Sequence, residues 1–124
     1  MGIIPKDIAT YLRQFAPVLE DRILKQFPPL HEPGAPLPAE LKHLRRIPYP
    51  AQSLALAGIG KRWDLENSAG AIAECGTGKT LISLGSMYVH AKGRPFTALV
   101  MVPPQLTMKW CRECLSTLPR VRVF

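Results

Sequence analysis

The stretch Ala73-Glu74-Cys75-Gly76-Thr77-Gly78-Lys79-Thr80 decides how the rest of the chain is read. Two glycines in three positions allow the backbone to curl so that successive N–H groups turn inward on a polyphosphate. Lys79 then has the reach for β- and γ-phosphate oxygens, and the Thr80 hydroxyl can ligate Mg²⁺. A helix starting near Lys79 would add its positive N-terminal end. The bland alternative is a glycine turn that happens to precede a helix.

The flanks favour the phosphate reading. Before the loop, Ala69-Gly70-Ala71-Ile72-Ala73 is short, small and apolar, and reads as a buried strand. After it, Leu81, Ile82, Leu84, Met87 and Val89 recur at helical spacing up to Ala91, and Lys92-Gly93 predicts the helix end. Further on, Thr97 to Val102 is a continuous apolar run of strand length, stopped by Pro103-Pro104. Leu106, Met108, Trp110, Cys114 and Leu118 fit a helix, and Val121 to Phe124 is strand-like again. Helices alternating with buried strands predict an α/β fold with a parallel sheet and right-handed crossovers.

Upstream, nine of the thirteen prolines fall within the first fifty residues. Ile8, Leu12, Phe15, Val18, Leu19 and Ile23 are spaced for one bent helix or two short ones, with Pro17 between them. Pro28 to Pro38 reads as an extended connector, and Leu41 with Leu44 as a short helix. A second periodic stretch, Ala51 to Trp63, is weakened as a helix by Gly58 and Gly60. These features divide the chain into a helical, proline-rich region (1–46) and a nucleotide-binding region (47–124).

Composition narrows the class. With 124 residues, one domain of ordinary size is expected. No apolar run is long enough to span a bilayer, no secretory leader opens the chain, and Lys6 stands where myristoylation after Met1-Gly2 needs Ser or Thr. The expectation is a soluble cytoplasmic protein with no membrane partner. The net charge of +7 is concentrated in residues 51–124, which suits an anionic partner or only a solvated surface. Three cysteines without an export signal argue against a disulfide framework. Cys111-x-x-Cys114 lacks the further paired ligands that zinc requires, so both read as ordinary helical cysteines. Trp63 and Trp110 read as packing residues.

Three elements in order resemble one family, the superfamily-two helicases and DNA translocases (DEAD/DEAH-box related), in their Swi/Snf-like branch. Tyr49-Pro50-Ala51-Gln52 is similar to that family's adenine-recognition element; a glutamine amide donates and accepts together, matching the N6/N7 edge of adenine. The loop from Glu74 to Thr80 resembles the family's Gly-x-Gly-Lys-Thr form. Leu99 to Leu106 with Lys109-Trp110 resembles the element that touches the nucleic-acid backbone. The resemblance covers about residues 47–119 and implies the start of a RecA-like ATP-binding lobe.

It also implies roles. ATP and Mg²⁺ would be the cofactors, held by Tyr49, Gln52, Cys75, Gly76, Thr77, Gly78, Lys79 and Thr80, with Lys79 and Thr80 acting in catalysis and the Thr80 hydroxyl on the metal. Pro103, Pro104, Gln105 and Lys109 would meet nucleic acid, DNA in preference to RNA. Lys61-Arg62, Arg112, Arg120 and Arg122 are further candidate phosphate contacts. Hydrolysis in such machines needs an acidic pair on a later strand and arginines from a second lobe. After Lys79 the sole carboxylate side chain is Glu113. The chain therefore reads as the amino-terminal portion of a larger ATPase, binding ATP without useful turnover until the remaining helicase portion joins in cis or in trans. Two other readings remain: another phosphate-loop NTPase without nucleic acid, such as a small kinase, and a non-catalytic binding or assembly module.

Overall fold

The computed structural model describes residues 7–124. The acylation reading at Met1, Gly2 and Lys6 lies outside the described residues. Four α-helices follow in order: α1 (Ile8–Gln26), α2 (Pro50–Leu65), α3 (Lys79–Ala91) and α4 (Thr107–Thr117). Short 3₁₀ turns at Ala39–His43 and Pro104–Leu106 precede α2 and α4.

Helix α1 starts on Asp7, whose carboxylate accepts the Thr10 N–H at 2.7 Å, and it runs unbroken through Pro17. That N-terminal bond holds the Asp7 carboxyl below its ordinary pKa, because the ionised form is the better acceptor. Proline at the first turn of α2 is placed where its missing N–H costs nothing, and the helix passes through both glycines to Leu65. At its far end α3 stops where the spacing predicts, because Lys92 and Gly93 both take positive φ.

The core lies between helices. Leu56 of α2 and Leu84 of α3 are fully buried, joined by Leu41, Leu44, Leu81, Val89 and Leu118, with Trp110 and Cys114 of α4 packed against them. Each such leucine contributes about 1.5–3 kcal/mol by leaving water. Gly85 lets the helices close up: a Cβ there would sit 2.7 Å from a Leu56 methyl carbon. Because Leu41 and Leu44 belong to this core, the cluster spans residue 47. Arg45 fastens α4 by donating from Nη1 to the Leu115 carbonyl at 2.9 Å, and its backbone N–H bonds the Thr117 carbonyl at 3.0 Å. A cation at a helix C-terminus suits the helix dipole.

The α/β expectation is overturned. Among the described residues there is no strand and no sheet; the architecture is all-helical. Neither 69–73, 97–102 nor 121–124 pairs with a neighbour, and side chains meant for a sheet interior lie in water: Ile72 is 102 %, Leu99 88 % and Met101 87 % exposed. The physical reason lies in α3. Its apolar face, which a sheet would have to cover, is already occupied by α2, the 39–43 turn and α4. With that face buried, the apolar runs have no surface to pack on and no ladder partner for their backbone groups. A RecA-like lobe with parallel strands is therefore not the architecture of these residues, and Arg120 and Arg122 do not share the side of a strand.

Candidate functional site

The loop is built by local rules. Cys75 and Gly76 form a turn, Gly76 has φ 83°, and Gly78 caps α3 from the left-handed region at φ 84°, ψ 33°. Thr77 locks the turn by donating from Oγ1 to the Glu74 carbonyl at 2.8 Å. Glycine at 78 is needed twice over. Its φ strains any L side chain, and an added Cβ would collide with the Gln52 amide nitrogen.

That collision marks the main tertiary contact of the site. Gln52, in the first turn of α2, donates from Nε2 to the Thr77 carbonyl at 2.9 Å. Its Oε1 accepts the Tyr49 N–H at 2.9 Å. The amide is thus held between the Tyr49 backbone and the loop, and it keeps one N–H and one lone pair in reserve. Residues 25 positions apart are joined through a single side chain.

Lys79, half-buried at the start of α3, turns its ammonium back on the loop. Nζ donates to the Ala73 carbonyl at 2.9 Å and to the Glu74 carbonyl at 2.7 Å. Two neutral oxygens satisfy this cation only in part, so an anionic oxygen is the stronger partner for it. Thr80, half-buried in the same turn, has a hydroxyl with no hydrogen bond to protein among the described residues. Glycine cradle, ammonium, free hydroxyl and helix N-terminus together suit a polyphosphate with its Mg²⁺.

The other expected site residues are exposed. Tyr49 is 76 % exposed and contributes its backbone to Gln52. Cys75 carries an exposed thiol at the loop tip. Pro103, Pro104, Gln105 and Lys109 form an exposed surface leading into α4. Among the described residues no hydrogen bond or ion pair joins that surface to the loop. Trp110 packs on the core, and Trp63 meets the His90 ring edge-on at 5.3 Å. Of the basic candidates, Arg62 is paired with Glu66 at 2.6 Å.

Some features escaped the sequence reading. Glu113 is bound by Arg46 at 2.8 Å, an ion pair across 67 positions that removes this carboxylate from metal or base chemistry. Asp64 similarly pairs with Lys92 at 3.2 Å, tying the far ends of α2 and α3. The adjacent Arg45 and Arg46 are the one sequence hint of the first pair, and no short-range signal marks the second. Among the described residues no three His, Cys, Asp or Glu side chains come together as a metal site. Burial, then the neighbouring Cys111, pushes the Cys114 thiol up from its ordinary pKa. No helix among the described residues is long and apolar enough to cross a membrane. No family model, curated protein or solved structure matches this chain.

Proposed function

We propose that this chain is the ATP-binding part of an ATP-dependent helicase or nucleic-acid translocase. The observation that carries the reading is the bond from Gln52 to the Thr77 carbonyl. It holds the Gln52 amide against the loop that the phosphates would occupy. The spare N–H and lone pair of Gln52 match the N7 acceptor and N6 donor of adenine, so the amide favours ATP over other nucleotides.

In this reading Gly76 to Gly78 present backbone N–H groups to the phosphates and Lys79 leaves the Ala73 and Glu74 carbonyls for the β- and γ-oxygens. Thr80 offers its hydroxyl to Mg²⁺, which neutralises phosphate charge. Tyr49 and Cys75 line the approach to base and phosphates. Pro103, Pro104, Gln105 and Lys109 contact a nucleic-acid strand, DNA in preference to RNA. The only carboxylate side chain after Lys79 is neutralised by Arg46, so turnover draws its acidic pair and arginines from further polypeptide, in cis or in trans.

Titration with a fluorescent ATP analogue tests the reading. Lys79→Ala should weaken binding about tenfold or more, the scale of a charge-assisted bond. Gln52→Ala should erase the preference for ATP over GTP while leaving phosphate-driven binding. Equal competition by GTP in the unaltered chain would overturn the adenine assignment, and retained affinity in Lys79→Ala would overturn the phosphate site itself.

A further inference from the structure

Helix α1 is the longest helix described and has no buried residue. Ile8, Leu12, Phe15, Leu19 and Ile23 recur at four- and three-residue steps and form one stripe, flanked by Tyr11 and Val18. Tyr11 and Phe15 already stack along it, with ring centroids 4.6 Å apart. The stripe lies largely in water: Leu19 is 36 %, Leu12 50 %, Ile23 57 % and Ile8 78 % exposed, with Phe15 half-buried among them. Pro17 sits on the opposite side, so its missing N–H does not disturb the apolar face.

We propose that α1 pairs antiparallel with α1 of a second copy of this chain. Two observations select that occupant. The surroundings of the stripe are charge-balanced: Asp7, Glu20 and Asp21 offset Arg13, Arg22 and Lys25, in a chain of net charge +7. A helix meant for nucleic acid or an anionic bilayer would carry the cationic surplus itself. Lastly, the stripe fits its own reverse. With Ile8 opposite the partner's Leu19, Leu12 falls opposite the partner's Phe15, so four apolar layers close with no charge between them. On one flank Tyr11 meets the partner's Val18. On the other, Ala9 meets the partner's Ala16, and these small residues let the helices approach.

Sedimentation equilibrium of the whole chain over a concentration series tests this. The expected mass at high concentration is that of two copies. Leu12→Asp together with Phe15→Asp should shift the dimer midpoint upward by tenfold or more. A second variant set separates pairing from simple loss of the helix. Ala16→Asp should weaken the dimer, and adding Ala9→Lys on the same chain should restore it, since the two positions meet only between antiparallel copies. A monomer at every concentration would overturn the proposal, as would a dimer indifferent to Leu12 and Phe15. A monomer that instead sediments with anionic phosphatidylserine vesicles would overturn it too, and so would failure of Ala9→Lys to rescue.

Discussion

Helices α1 and α3 carry similarly periodic sequences and meet opposite fates. Seven of the thirteen residues of α3 are buried, whereas α1 buries none of its nineteen. Both satisfy the spacing rule for a helix with one apolar face. The difference lies in their neighbours: α3 is surrounded by α2, the 39–43 turn and α4, while α1 is followed by the proline-rich connector and packs on none of them to a comparable extent. Periodicity thus specifies that a face exists and is silent about what covers it.

Substitutions can break this comparison, beginning with the core. Leu56→Ala should cost about 2–5 kcal/mol in global stability, the scale of a leucine deleted from a packed interior, measured by urea denaturation. Leu12→Ala, examined where the chain is monomeric, should stay within about 0.5 kcal/mol. Equal effects would mean that α1 belongs to the core after all.

Gly78→Ala is expected to cost about 1–2 kcal/mol from its left-handed backbone alone. It should also loosen nucleotide binding, because the new methyl displaces the Gln52 amide. Retained ATP affinity in that variant would detach Gln52 from the site. A smaller effect is expected at the start of α1. Asp7→Ala removes the helix cap, and the loss should appear as lower helicity by circular dichroism, with the core transition unmoved. The pH dependence follows the same sign. The folded-state pKa of Asp7 is depressed, so its contribution is present above the ordinary carboxylate range and disappears as acid protonates it. Acidification should therefore fray α1 before it touches α3.

The thiols offer the gentlest probe. Cys75 is exposed at the loop tip, whereas Cys114 is half-buried with a raised pKa. Alkylation near neutral pH should modify Cys75 first, and ATP with Mg²⁺ should slow that reaction selectively. Indifference of Cys75 to ATP would place the nucleotide elsewhere.

Much of the loop was legible in order along the chain. The curl at Gly76 and Gly78, the helix start at Lys79 and the stop at Lys92-Gly93 all follow from short-range backbone chemistry. The pairing of Gln52 with Thr77 was not legible, because two helices must first pack to bring them together. The ion pair of Glu113 was hidden for the same reason, since its arginine partner lies 67 positions away. The largest error concerned the apolar runs at 69–73 and 97–102. Their composition is that of buried strands, but a strand exists only where another offers its backbone groups, and neither run has such a neighbour.

The sequence by itself determined the helices, their caps and the chemistry of the loop, because each depends on residues within a turn or two of one another. Only the tertiary structure decided that α3 spends its apolar face on helices, that Gln52 rests on the loop, and that α1 keeps its stripe in water. Those outcomes depend on which surfaces meet first across long separations, and local propensity holds no record of that.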